Sequence, residues 1–211
     1  MSEPKTVATA TTEIVPGLHH FKIDDERIKS QSDAYALVAD GRVVLIDPIP
    51  LDPVRLARLG RVEAIVLGSP CHQRSAWRYR SEHKAKVYAP EGWTDLDETP
   101  DVTFRAGDAL PLGLKALHAP GPAKAHHVFH YDRKPGVLLC TDLWHIGSRG
   151  LEFLPDKYMN DATAARASAR QLMDVDFDVL CLGHGDPIRS GARGALAEVM
   201  KEDAEVRKGN A

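Results

Sequence analysis

The order of the apolar runs along the chain constrains its fold more than any other sequence feature. Strand-type runs come first, and strands then alternate with helix-type segments. The runs Tyr35–Val38 and Val43–Ile46 flank an Asp-Gly pair, Asp40 and Gly41, which is a strong hairpin signal. Paired strands followed by strand–helix alternation favour an α/β sandwich.

Turn and capping residues place the other predicted elements. Asp52 as a cap, Pro53 in the first turn and Gly60 beyond the end predict a short helix. Further strands are predicted at Val62–Leu67, Lys84–Ala89, Val102–Phe104, Leu114–Ala119, Val128–Tyr131, Val137–Cys140 and Phe177–Leu182, and further helices at Ser75–His83, Ala162–Met173 and Ala192–Glu205. The stretch Trp144–Asn160 is predicted to be irregular.

Composition narrows the classes of function. The 211 residues suffice for one sizeable core, and we predict a flexible tail over residues 1–12 and a single domain over 13–211. With 27 basic and 30 acidic residues, the formal net charge of -3 favours neither nucleic acid nor an anionic membrane as a partner. No signal peptide or membrane-spanning run is recognisable. Three cysteines are too few for a disulfide framework and suit a reducing compartment, so we expect a cytoplasmic protein.

Short strings at the ends of the predicted strands resemble motifs of the metallo-β-lactamase superfamily, in that superfamily's order. The strings are Val44-Leu45-Ile46-Asp47, the loop Ser69–Ser75, Ala119-Pro120-Gly121, Leu139-Cys140-Thr141-Asp142 and Cys181-Leu182-Gly183-His184-Gly185. The resemblance spans residues 14 to 200 and implies a four-layer αββα sandwich of the α/β class. The strings His72-Gln73-Arg74 and, with one fewer spacer residue, Leu154-Pro155-Asp156-Lys157-Tyr158 resemble a divergent hydrolase- or glyoxylase-like subgroup.

The metal motifs of that superfamily are only partly present. Its members commonly use two metal ions to activate a water and to polarise a carbonyl or phosphoryl group. Aligned on the motifs, the ligand positions are retained at His72, Asp142 and His184. Four other ligand positions hold residues that the motifs do not use, namely Pro70, Arg74, Ser75 and Pro122. Because proline offers no side-chain donor and arginine brings a fixed positive charge, we expect no two-metal site.

Two interpretations of the retained residues remain open. In the first, His72, Asp142 and His184 hold one zinc or iron ion with an open water position. Asp142, His72 and Arg74 would then act in catalysis. In the second, no metal binds and the three residues form a hydrogen-bonded cluster. Arg74 would pair with Asp142 or Asp47, because a buried carboxylate without a metal needs a paired donor.

Three further residues are weaker candidates. His126 follows the predicted turn at Pro120 and Gly121 and is a candidate to line the site, and His145, three residues after the retained aspartate, is a candidate replacement ligand. Cys71 suggests a thiolate nucleophile. Neighbouring residues generally point apart, however, and no oxyanion donors are recognisable, so we do not assign Cys71 a catalytic role.

The resemblance leads to two hypotheses of function. The first is a metal-dependent hydrolase with a reduced site that acts on a small ester, thioester or lactone. The second is a catalytically silent binding or scaffold protein without metal. In both, the expected partner is a small molecule rather than nucleic acid or a membrane, and a homo-oligomer is compatible with either.

Overall fold

The computed structural model of the chain describes residues 3–209, which form thirteen strands and four α-helices. The strands are β1 (Thr12–Val15), β2 (Leu18–Asp25), β3 (Ser30–Ala39), β4 (Arg42–Ile46), β5 (Arg61–Val66), β6 (Lys86–Pro90), β7 (Val102–Phe104), β8 (Lys115–His118), β9 (His127–Tyr131), β10 (Val137–Cys140), β11 (Trp144–Gly147), β12 (Gly150–Phe153) and β13 (Val179–Leu182). The helices are α1 (Pro53–Leu59), α2 (Ala76–His83), α3 (Ala162–Leu172) and α4 (Ala192–Gly209). None of the helices within residues 3–209 has the length and apolar character that a bilayer crossing requires.

The strands form two mixed sheets and a separate hairpin. The larger sheet has the order β1-β2-β3-β4-β5-β6-β7. Its pairing is antiparallel up to β4 and parallel from β4 onward. The smaller sheet has the order β13-β10-β9-β8, with only β10 and β13 parallel, and β11 pairs with β12. Functional side chains can therefore collect where the parallel strands of the two sheets end.

Side-chain alternation along β4 makes the larger sheet apolar on both faces. Val44 and Ile46 join a buried cluster that lies between the two sheets. Val43 and Leu45 point to the opposite face and pack in a second cluster that includes Tyr79 of α2. Because successive strand residues face opposite sides, this four-residue apolar run requires a covering layer on each side.

The smaller sheet repeats this arrangement. Val137 and Leu139 of β10 lie in the cluster between the sheets, whereas Leu138 and Cys140 pack in a third cluster with Leu196 of α4. The helices α1 and α2 thus cover one sheet, and α3 and α4 cover the other. The layers follow the order α, β, β, α, so the predicted four-layer sandwich is confirmed.

The stretch before β1 packs against the rest of the chain around Ala8. The Ala8 N–H donates to Pro50 O at 2.9 Å, and the Asp52 N–H donates to Ala8 O at 2.9 Å. Ala8 is only 3% exposed. Ala8 is therefore packed within the described part of the chain, and the flexible tail over 1–12 and the single domain over 13–211 stay predictions. The two residues at each end of the chain, which the predicted tail and domain also include, lie outside the described residues.

The predicted irregular stretch Trp144–Asn160 instead begins with the hairpin of β11 and β12. Gly150, with a φ of 97°, enters β12 in a conformation that favours glycine. The rings of Trp144 and Phe153 pack at 5.8 Å between centroids. The Ile146 N–H donates to His184 O at 2.9 Å, so the hairpin lies beside the loop after β13. Strands of four residues give too short a periodic signal to be recognised from sequence.

Candidate active site

Four polar side chains from four strand ends meet at one edge of the sandwich. Asp47 follows β4, His72 lies in the loop after β5, Asp142 follows β10 and His184 follows β13. His72 Nδ1 lies 3.6 Å from Asp47 Oδ2, and His72 Nε2 lies 3.3 Å from Asp142 Oδ1. His184 Nε2 lies 3.6 Å from Asp142 Oδ1. The prediction that these residues share one edge is confirmed, and their chemical roles remain predictions.

The loop after β5 presents His72 through a short 3-10 turn, Pro70–His72. The His72 N–H closes this turn on Ser69 O at 2.9 Å. The imidazole packs against Gly183, where an added Cβ would lie 2.9 Å from His72 Cε1. A residue without a side chain is therefore required at this position of the Gly-His-Gly loop.

His72 is a buried cation in the metal-free protein. It is 2% exposed and lies between two carboxylates. Burial and the charge of Arg74 lower the pKa of His72. Asp142, Cys71 and Asp47 raise it by a larger amount, so that the pKa is about 10. Burial raises the pKa of Asp142, yet the neighbouring histidines, His72 foremost, hold it well below its usual range. Without a metal, a proton on His72 balances the carboxylates.

His184 is neutral, and one of its ring nitrogens faces Asp142. Its Nδ1 lies 2.8 Å from the backbone oxygen of Gln31, which can only accept, so Nδ1 carries the proton. Burial, followed by the charge of His72, lowers the pKa of His184 to about 4. The Nε2 lone pair therefore faces a carboxylate oxygen at 3.6 Å. Two electron-rich atoms in this arrangement are stabilised by a cation between them.

Arg74 contacts the backbone rather than a carboxylate. Its Nη1 donates to Asp33 O at 3.0 Å and to Asp47 O at 3.4 Å, and the residue is 5% exposed. Within residues 3–209, the guanidinium forms no ion pair with a side chain, so the predicted pairing with Asp142 or Asp47 is wrong. Those two carboxylates still oppose the effect of burial, which lowers the Arg74 pKa. The guanidinium instead donates its hydrogen bonds to backbone carbonyl oxygens, whose positions depend on the tertiary fold.

The weaker histidine candidates do not supply ligands to this cluster. His126 Nδ1 bonds Ala119 O at 2.7 Å and Nε2 bonds the Thr141 hydroxyl at 2.8 Å, so both ring nitrogens are used. Burial lowers the pKa of His126, which keeps the ring neutral. His145 Nε2 faces Glu152 Oε1 across the hairpin at 3.5 Å. His126 thus supports the end of β10, and His145 belongs to the hairpin.

Cys71 is a member of the cluster, although the sequence alone gives reason to assign it no role. Its Sγ lies 3.2 Å from Asp142 Oδ2 and 2.9 Å from the Ser69 hydroxyl. Potential ligand atoms of Cys71, His72 and Asp142 all lie within 4.8 Å of one another. The expectation that Cys71 and His72 point apart holds for a strand, but here a tight turn directs both toward Asp142. Pro70, which starts this turn, was the available signal.

The residues at the cluster are more compatible with one metal ion than with two. For a second ion the turn after β8 would need a histidine, but it holds Pro122, and the loop after β5 holds the buried cation Arg74. Around Asp142 Oδ1, the two imidazole nitrogens lie at 3.3 and 3.6 Å. Nitrogen and oxygen ligands of a tetrahedral zinc ion are about 3.3 Å apart. The ligand atoms of Cys71, His72 and Asp142 lie within 4.8 Å of one another, and the unprotonated His184 nitrogen faces the same carboxylate, so the arrangement is compatible with a single ion.

A four-layer αββα sandwich with an Asp and His cluster at one edge defines the metallo-β-lactamase class of fold. The sequence agrees, because residues 59–184 match the family model described as the metallo-beta-lactamase superfamily. The chain belongs to this superfamily. No curated protein matches its sequence.

Solved structures give the same fold at low sequence identity. An archaeal superfamily protein from Sulfolobus tokodaii has a TM-score of 0.65 at 16% identity, covering 81% of this chain and 79% of that one. A family protein from Thermus thermophilus has a TM-score of 0.63 at 20% identity, covering 92% and 81%. A metallo-beta-lactamase from Pontibacter korlensis has a TM-score of 0.72 at 14% identity, covering 91% and 98%. At these identities the likeness concerns the fold alone.

Proposed function

We propose that the chain is a hydrolase with a one-metal site that acts on a small ester, thioester or lactone. Membership of the superfamily supports the hydrolase class. One observation supports the proposal of a bound metal. The neutral His184 directs a lone pair at Asp142 Oδ1 across 3.6 Å. Its other nitrogen is fixed on Gln31 O, as is usual for a metal-binding histidine.

His72, Asp142 and His184 would hold the ion, which is proposed to be zinc or iron. A bound ion of this kind lowers the pKa of a coordinated water to about 7 and polarises a carbonyl group. Asp142 supplies the negative charge that attracts a cation. Gln31 O fixes the His184 tautomer, and the His184 side chain is 17% exposed.

Arg74 acts in this proposal as a positioning residue and not as a catalytic one. Its donors reach the backbone oxygens of Asp33 and Asp47, so it ties the loop after β5 to β3 and to the residue that follows β4. Its positive charge also disfavours a second dication nearby. The sequence prediction of a catalytic Arg74 is thus replaced by a supporting role.

Metal analysis and substrate assays test the proposal together. Protein purified without chelators is titrated with zinc by calorimetry, and hydrolysis of small ester, thioester and lactone substrates is measured. We expect one ion per chain. His184→Ala should weaken ion affinity by at least ~10–100-fold, the range that even supporting residues contribute. His83→Ala, at an exposed position at the end of α2, is the matched control and should bind as the unaltered protein does.

A stoichiometry of two ions, both lost in His184→Ala, would overturn the one-metal site. The second candidate function is a metal-free binding protein. It is favoured by His72, whose imidazolium between Asp47 and Asp142 balances charge without an ion. No bound ion and no turnover above background would replace the hydrolase with this candidate.

The proposed setting follows from the cysteines. All three are free, and we propose a reducing compartment such as the cytoplasm and a small molecule as the partner. Fractionation of cells that express the tagged protein at natural levels would test the compartment.

A further inference from the structure

We propose that the Cys71 thiolate is a fourth protein ligand of the metal ion, beside the coordinated water, so that the site is a Cys-His-Asp-His set selective for a thiophilic ion such as zinc. The inference rests on the proposed one-metal site. The superfamily motifs carry no ligand at this position between the two histidines of their first string, and the inference therefore concerns this chain's own residues.

The geometry brings the sulfur to the cluster. Cys71 Sγ lies 3.2 Å from Asp142 Oδ2, on the carboxylate whose other oxygen faces both imidazoles. A zinc ion bonds thiolate sulfur at about 2.3 Å and carboxylate oxygen at about 2.0–2.2 Å, which makes their separation about 3.1–3.8 Å at the angles of about 90–120° around a five-coordinate ion. The observed spacing lies within that range.

The Cys71 thiol lies beside two buried side chains that can bind a metal ion, and therefore differs from an isolated thiol on the surface. His72 and Asp142 are 2% and 5% exposed, and the ligand atoms of all three side chains lie within 4.8 Å of one another. His72 Nε2 faces Asp142 Oδ1 at 3.3 Å, while His72 Nδ1 faces Asp47 and has no hydrogen-bond partner among the described residues. The Ser69 hydroxyl, 2.9 Å from Cys71 Sγ, can donate to a thiolate and hold it in place.

The ligand set determines which ion is expected. One sulfur, two nitrogens and one oxygen suit zinc, whereas magnesium, calcium and manganese prefer oxygen ligands. Binding requires that Cys71 release its thiol proton to solvent while its sulfur lone pair forms the bond to the ion. The other two thiols, Cys140 and Cys181, are buried in the apolar core, so solvent-accessible thiol chemistry reports on Cys71.

Cobalt spectroscopy tests the sulfur bond directly. Cobalt(II) chloride is titrated into the full chain, and the near-ultraviolet band of thiolate-to-cobalt charge transfer is recorded. We expect one equivalent to produce the band in the unaltered protein. Cys71→Ser, which keeps a hydrogen-bonding group of similar size, should lose the band and bind cobalt ~10–100-fold more weakly. His83→Ala should keep both the band and the affinity.

Alkylation gives a second readout that is independent of colour. Iodoacetamide should modify Cys71 in the metal-free protein, and one equivalent of zinc should slow this reaction at least tenfold, as followed by mass spectrometry. If cobalt binds with no thiolate band and Cys71→Ser binds it equally well, the Cys71 ligand is refuted while the proposed one-metal site stands. If the unaltered protein binds neither cobalt nor zinc, the one-metal site and the Cys71 ligand are both refuted.

Discussion

The buried Arg74 side chain allows a quantitative test of how the loop after β5 is anchored. Its two hydrogen bonds, at 3.0 Å to Asp33 O and 3.4 Å to Asp47 O, are lost in Arg74→Gln, because glutamine is too short to reach both oxygens. Both side chains would adopt the same φ of 27°, so backbone strain cancels in the comparison.

The expected loss follows from these two distances. A hydrogen bond to a charged group contributes roughly 1.5–3 kcal/mol, and the bond at 3.4 Å, which is longer than the usual range, contributes less than the one at 3.0 Å. The cost of burying the guanidinium and its attraction to Asp47 and Asp142 oppose each other. Taking them to cancel, we expect the free energy of unfolding to fall by about 3 kcal/mol.

Urea denaturation at neutral pH, followed by the fluorescence of the three tryptophans, measures this loss. The control is Arg55→Gln, at an exposed position on α1, which should change the free energy of unfolding by less than about 0.5 kcal/mol. A loss below about 1 kcal/mol in Arg74→Gln would refute the argument that Arg74 anchors the loop through the two carbonyls.

Three further predictions concern other parts of the fold. Gly183→Ala places a Cβ 2.7 Å from Thr141 O, so urea unfolding should show a loss of about 1–3 kcal/mol, whereas Gly194→Ala on α4, with open space around it, should be neutral or stabilising. Burial lowers the pKa of His127 to about 4 from 6.5, so the unfolded chain binds more protons as the pH falls. Stability should therefore decline from pH 6.5 toward 4, and an equally steep decline in His127→Asn would contradict this. Tyr35→Phe removes the 2.7 Å hydrogen bond to Leu182 O, which joins β3 to β13 in the other sheet, and should lower the free energy of unfolding by about 1 kcal/mol. No shift in its urea midpoint would count against that estimate.

The layers of the fold were predictable because their signal is local. The apolar run Val43–Ile46 shows in the sequence that both faces of β4 are buried, and the strand-end strings place Asp47, His72, Asp142 and His184 in order. Successive side chains of a strand point to opposite faces of the sheet in any tertiary context, so the buried faces can be predicted from the sequence alone.

The details of the site depend on loop conformation and could not be predicted. Cys71 reaches Asp142 because Pro70–His72 is a 3-10 turn and not a strand. The Arg74 donors went to backbone oxygens, which carry no sequence signal. Both ring nitrogens of His126 likewise form hydrogen bonds, one to the backbone oxygen of Ala119 and one to the Thr141 hydroxyl. Such assignments follow from the three-dimensional path of the chain and not from residue type.

The hairpin of β11 and β12 has an entropic consequence for His184. The Ile146 N–H bonds the His184 carbonyl, while Gln31 O bonds the His184 ring, so both the backbone and the side chain are immobilised before any ligand arrives. A residue already ordered loses little conformational freedom on binding. Weakening the hairpin would therefore reduce affinity at the site without removing a single ligand atom.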